Sequence, residues 1–96
     1  MYGTIARMRL RPGMEQRFRE IEAEASDEIP GFLFSHMYRM DADPNEYMRV
    51  VAFADRESYV RNARSPEQHQ RYLRYRELLE ADPEWHDGEI AFSIEQ

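Results

Sequence analysis

The chain has 96 residues, of which 42% are hydrophobic and 33% charged, and its net charge is -6. That length predicts one domain over residues 1–96 with a modest core, and the acidic balance excludes a nucleic-acid face or attraction to anionic membranes, since both need clustered positive charge. No cysteine is present, which removes disulfides, thiol catalysis and thiolate metal sites.

All thirteen basic residues are arginine. The planar guanidinium suits ion-pair networks, although an arginine-favouring codon bias accounts for the same composition. No apolar run reaches the ~20 residues of a membrane helix, and the opening Met1-Tyr2-Gly3-Thr4 is no signal peptide. The expected location is the cytoplasm.

Residues 2–11 alternate, with Thr4, Ala6, Met8 and Leu10 set against Ile5, Arg7 and Arg9, and predict a strand. Pro12-Gly13 ends it. From Met14 the period becomes helical: Met14, Phe18, Ile21, Ala25 and Ile29 form an apolar stripe opposite Glu15, Glu20, Glu22 and Glu24. Pro30-Gly31 stops that helix.

Residues 32–40 predict a second strand, with Phe32, Phe34, His36 and Tyr38 on one face and Leu33, Ser35, Met37 and Arg39 on the other. The turn formers from Asp41 to Glu46 lead into a third strand over 47–54, rich in β-branched and aromatic residues. The two strands read as an antiparallel hairpin.

Asp55 is an N-cap candidate for a helix beginning at Arg56. Ser65-Pro66-Glu67-Gln68 is a stronger start, with a capping Ser, Pro at the first helical position and Gln68 where a capping box needs it. That helix is expected to reach about Glu80, burying Tyr72, Leu73, Leu78 and Leu79. Asp82-Pro83 ends it, and a last strand is expected over Glu89 to Glu95, with Ile90, Phe92 and Ile94 on one face. The order β-α-β-β-α-β is the α+β ferredoxin-like pattern: a four-stranded antiparallel sheet with helices on one face. Its strands are apolar on both faces, so something must cover the second face, and an identical partner is the simplest candidate.

These features resemble the antibiotic biosynthesis monooxygenase domain of the dimeric α+β-barrel proteins. The resemblance rests on Arg11-Pro12-Gly13-Met14-Glu15, Ile29-Pro30-Gly31-Phe32, the Asp43-Pro44-Asn45 hairpin, Val51-Ala52-Phe53-Ala54-Asp55, Ser58-Tyr59 and Ser65-Pro66-Glu67. It covers nearly the whole chain. It implies a homodimer through the sheet faces and a small-molecule pocket between sheet and helices in each subunit. Members include oxygenases that oxidise polycyclic aromatic phenols without metal or flavin, haem-degrading proteins, and others that isomerise or decarboxylate small molecules. Fold alone therefore does not assign the activity. No cofactor is expected for the first reading, a monooxygenase of a small aromatic or quinone-type molecule. The alternatives are a non-catalytic ligand-binding or stress-response protein, and a haem protein. In the haem-degrading members an Asn, a Trp and a His mark the site; here those positions fall on Ala6, Asn62 and Tyr72, and none matches.

No metal-ligand spacing links His36, His69 and His86, and there is no phosphate loop or nucleophile elbow. Cofactor-free oxygenation needs an apolar pocket, a donor for a developing oxyanion and a route for a proton. Asn62, Tyr72 and His36 are the catalytic candidates on that basis, and Trp85, His69 and Tyr38 the candidates for ligand contact. Each has an ordinary alternative: His36 as a hydrogen-bonded interface residue, Tyr72 as core, Trp85 as a plug over the helix layer. The strand arginines Arg7, Arg9, Arg39 and Arg49 either serve an anionic ligand or pair with the excess carboxylates.

Overall fold

The computed structural model describes residues 1–25 and 29–96. Strand β1 (Tyr2–Arg9) leads into α1 (Glu15–Ala25), then the hairpin β2 (Phe32–Arg39) and β3 (Glu46–Phe53). Helices α2 (Arg56–Ala63) and α3 (Pro66–Arg76) precede β4 (Glu84–Glu89). The sheet order is β2-β3-β1-β4, with every pairing antiparallel. This is the expected ferredoxin-like sheet, with the second helical region divided in two. The final turn expected of the first helix lies outside the described residues.

The helix starts follow the expected caps. Asp55 accepts from the Ser58 backbone N–H at 2.8 Å, and Ser65 accepts from that of Gln68 at 3.1 Å. Pro66 occupies the first position of α3. Between the helices the Ser65 amide and hydroxyl both donate to the Asn62 carbonyl.

The alternation read in β1 sets the core. Ala6, Met8 and Leu10 turn inward and meet Phe18 and Ile21 of α1, Tyr75 of α3, and Leu78 and Leu79 beyond it. Gly3 lets β1 approach β3 closely: a Cβ there would lie 1.7 Å from the Val51 carbonyl oxygen.

Four expectations are corrected. The last strand lies at Glu84–Glu89, earlier than expected. By Glu89 it has reached Tyr2, the start of β1. One further bond joins the Ile90 amide to the Met1 carbonyl, and the chain then leaves the sheet with Phe92 and Ile94 exposed. Helix α3 stops at Arg76, before Glu80. Residues 77–80 turn in beside β1 instead: Arg11 donates to the Leu78 carbonyl and Glu80 to that of Arg9. Leu73 is exposed, not buried.

The fourth correction concerns the faces of β2. Its register shifts between Phe32 and Phe34, so Leu33 is an extra residue. A bulge of this kind turns every later side chain over. Phe32 stays on the helix side, edge-on to Phe53 at 5.8 Å. Ser35 reaches Glu22 and Arg39 reaches Glu15, both on α1. Phe34, His36 and Tyr38 therefore share the uncovered face. The Cα register sets His36, Val50, Ile5 and His86 in one row across all four strands of that face.

Candidate active site

A cavity of about 430 Å³ opens between the helix layer and one end of the sheet. That volume lies in the range of small-molecule sites. Its floor is the inward row of β1 and β3, Thr4 with Val51 and Phe53. The ring of Phe32 closes one side. From β4 come Trp85 and Asp87, and from the helices Tyr59, Asn62, His69 and Tyr72.

The α2–α3 junction positions Asn62. Its carbonyl is held by the Ser65 cap, and its side chain lies in a polar cluster with Gln68 and Arg71. Arg71 donates to Asn62 Oδ1 at 3.2 Å and to Gln68 Oε1 at 3.1 Å. Oδ1 is taken by Arg71 and one Nδ2 proton points to Gln68 Oε1 at 3.5 Å, so the second Nδ2 proton is the donor this residue can offer a ligand. The Arg71 charge stands directly behind it, so the corner favours a negative oxygen.

The aromatic wall is built across two elements. Tyr72 of α3 and Trp85 of β4 face each other with ring centres 6.3 Å apart and planes tilted by 50°. Both are partly exposed, as a wall facing an open cavity would be.

A third corner holds Tyr59, Asp87 and Thr4. Thr4 and Asp87 are directly opposed in the β1–β4 register. Tyr59 comes down from α2 and donates its hydroxyl to Asp87 Oδ1 at 2.8 Å. Its ring is packed against Tyr2 and Phe53 at 5.3 and 5.6 Å. Burial pushes the Tyr59 phenol up to about 12; the bond to Asp87 and that carboxylate's charge push the same way, against a smaller opposing effect of Thr4. Thr4 is 6% exposed, and its hydroxyl is a buried polar side-chain group without a hydrogen-bond partner. Such an orphan costs roughly 1–3 kcal/mol.

At the boundary with the packed core, Arg49 pairs with Glu22 while its guanidinium sits over the rings of Phe18 and Tyr75. This arginine is nearly buried and neutralised. The other strand arginines also pair: Arg7 with Glu46, Arg9 with Asp43 and Glu80, and Arg39 with Glu15.

Of the six candidate residues, the fold gathers Asn62, Tyr72, His69 and Trp85 around this cavity. His36 and Tyr38 are absent from its lining, because the β2 bulge leaves them on the opposite face of the sheet. Tyr59, Asp87, Thr4 and Arg71 are the cavity residues that sequence reasoning missed. Placing the last strand five residues earlier would have set Asp87 beside Thr4. Among the described residues, no three histidine, aspartate or glutamate side chains converge as a metal site. No helix among them is long and apolar enough to cross a membrane.

The family model described as antibiotic biosynthesis monooxygenase matches residues 1–75. Solved structures reproduce the fold. SnoaB of Streptomyces nogalater, a cofactor-independent oxygenase crystallised as an asparagine-to-alanine mutant, superposes with a TM-score of 0.80 at 15% identity, over 99% of this chain and 97% of that one. A conserved protein from Methanosarcina mazei Go1 gives 0.75 at 17% identity, covering 91% of this chain and 89% of that one. A candidate antibiotic biosynthesis monooxygenase from Nitrosomonas europaea gives 0.74 at 15%, covering 96% and 100%. At these identities the likeness concerns the fold. No curated protein sequence matches the chain.

Proposed function

This chain belongs to the antibiotic biosynthesis monooxygenase family, and from that premise we propose that it oxidises a small aromatic or quinone-type molecule with dioxygen and no bound cofactor. The observation that carries the reading is the cavity itself. It pairs an aromatic wall, Tyr72 and Trp85, with a donor, Asn62, backed by the Arg71 charge. A flat phenol would lie along the wall with its oxygen toward Asn62.

The chemistry asks little more of the protein. Loss of a proton from the bound phenol gives an electron-rich anion, which passes one electron to dioxygen. The resulting radical and superoxide combine at carbon as a peroxide, and loss of water from that peroxide gives the quinone. The protein's part is to stabilise the anion, exclude bulk water and accept the proton.

The partner we propose is a second copy of this chain, seated on the uncovered sheet face. Ile5 and Tyr38 stand exposed there, 47% and 57%, beside the partly buried Phe34, Met48 and Val50. Apolar surface of this kind is unusual on a monomer. Membership of the family supports the same arrangement.

The test is oxygen uptake by metal-free protein against anthrone-type phenols and hydroquinones. Uptake that depends on the protein and falls roughly 10²-fold in Asn62→Ala, the scale of removing one oxyanion donor, supports the reading. No uptake across the panel moves the assignment to a ligand-binding module with the same cavity. His69 lines that cavity, so a haem titration belongs beside the assay; absence of a Soret band removes haem binding.

A further inference from the structure

We propose that Tyr59, with Asp87 behind it, is the proton acceptor of the cavity, and that it selects ligands carrying a hydroxyl. This rests on the reading of the cavity as the site of a phenol. The geometry is specific. Tyr59 spends its only proton on Asp87 Oδ1, at 2.8 Å. Its oxygen is left with lone pairs and no proton to offer, so toward a ligand it can only accept. The negative carboxylate behind the phenol strengthens that acceptor, because hydrogen bonds in a chain polarise one another. A ligand hydroxyl is the natural partner; an ether or a bare ring is not.

The same chain moves a proton. As the ligand O–H breaks, its proton passes to Tyr59 Oη while the Tyr59 proton passes to Asp87 Oδ1. The ligand oxygen keeps the bonding pair and becomes the anion. Tyr59 ends neutral, and Asp87 ends as a carboxylic acid. Asp87 is exposed, so the proton can leave to solvent and the carboxylate be restored. No electron is transferred in this step.

The surroundings agree. A phenol is protonated at neutral pH in any case, as a relay requires, and burial and Asp87 push Tyr59 further the same way. Thr4 is 94% buried and directly opposite Asp87; its hydroxyl forms no hydrogen bond of good geometry but lies near enough to Tyr59 to oppose the rise of the phenol slightly. It adds a second neutral oxygen to this corner, and among the described residues Asp87 is bonded to Tyr59 and has no ion-pair partner. On its other side Tyr59 packs against Tyr2 at 5.3 Å, and the Tyr2 ring is covered by Arg56 at 5.7 Å. Asn62 lies three residues from Tyr59 on the same helix, near enough for its donor to face the ligand oxygen that Tyr59 deprotonates.

The chain's single tryptophan, Trp85, lines the cavity and reports binding. Its fluorescence is titrated with 2-naphthol and with 2-methoxynaphthalene. The native protein should prefer the naphthol by up to about tenfold, the worth of one hydrogen bond. Tyr59→Phe keeps the ring between Tyr2 and Phe53 and should abolish that preference, bringing the two affinities to parity. Asp87 acts through Tyr59, so it is a positioning residue; Asp87→Asn should shrink the preference and, in an ultraviolet titration, let Tyr59 ionise at lower pH. It should also slow oxygen uptake by roughly 10²-fold. An unchanged preference in Tyr59→Phe overturns the proposal while the cavity still binds aromatics. Failure of both compounds to quench the native protein overturns the cavity reading, and this inference with it.

Discussion

The sheet and the helix layer meet along their whole length, yet the two ends of that contact are built differently. At one end Met8, Leu10, Phe18, Ile21 and Leu79 fill the space between strands and helices. At the other, Thr4, Val51, Tyr59, Tyr72 and Trp85 surround a space that stays open. The strands are the same strands. What differs is the side chains the helices bring to them. Aliphatic residues interdigitate, whereas the broad, polar-tipped aromatics of α2 and α3 stand around a gap. Arg49, clamped by Glu22 over Phe18 and Tyr75, marks the boundary. One end supplies stability and the other supplies a site, so substitutions at the two ends should separate cleanly.

The largest expected effect is at the packed end. Leu79 is 1% exposed, and Leu79→Ala should cost about 2–5 kcal/mol, for lost transfer energy and the cavity left behind. Urea unfolding measures it. Tyr72→Ala at the hollow end should cost about 1 kcal/mol or less, because that ring already faces open space. Equal costs would break the distinction. Gly3→Ala sharpens it from the other side. The hollow end is held by backbone approach, and a Cβ placed 1.7 Å from the Val51 carbonyl oxygen must force β1 and β3 apart. A loss of roughly 2–4 kcal/mol is expected there despite the small change in side chain.

The uncovered face offers the next test, of intermediate size. Val50 lies in the middle of the row His36, Val50, Ile5 and His86. Val50→Glu would place one charge per subunit at the centre of the proposed interface. Sedimentation should show a dimer for the native chain and a folded monomer for the variant. A native chain that sediments as a monomer at micromolar concentration removes the proposed partner.

These regions were unequally legible in the sequence. The packed end could be read almost residue by residue, since its signals are periodic: alternation in β1, the stripe on α1, and the caps Asp55 and Ser65. The hollow end was readable only in its helices: Asn62 on α2, and His69 and Tyr72 on α3, whose start was fixed by Ser65-Pro66. Asp87 and Tyr59 were not found, because their partnership depends on where β4 pairs with β1. The sequence of β4, EWHDGE, has no alternation to announce it, whereas the apolar Ile90, Phe92 and Ile94 just beyond imitate a strand. The β2 faces were misread for a related reason. A single extra residue at Leu33 inverts the rest of the strand, and no glycine or proline inside β2 marks it. Periodicity therefore finds what is packed; it does not find what one-residue shifts in register bring together.

The smallest effect is the most specific, because the composition isolates it. With no lysine or cysteine in the chain, tyrosine is the only side chain that titrates between about pH 9 and 12. Tyr75 stands at the boundary between the two ends, and burial pushes its phenol up to about 12. Its neutral form is therefore favoured in the folded state relative to the unfolded value of about 10. The stability this contributes is fully present below pH 10 and is lost as pH rises from 10 toward 12. Tyr59 adds to the same loss with the same sign. Thermal unfolding midpoints should be flat up to about pH 9 and fall above 10. Tyr75→Phe should change the neutral-pH midpoint little and flatten the alkaline fall. Tyr59→Phe should flatten it less, because Tyr59 is only half-buried and part of its shift comes from Asp87. An alkaline limb that neither variant alters would mean that ionisation there comes after unfolding instead of driving it, and that the boundary tyrosine is less enclosed than its packing against Phe18 indicates.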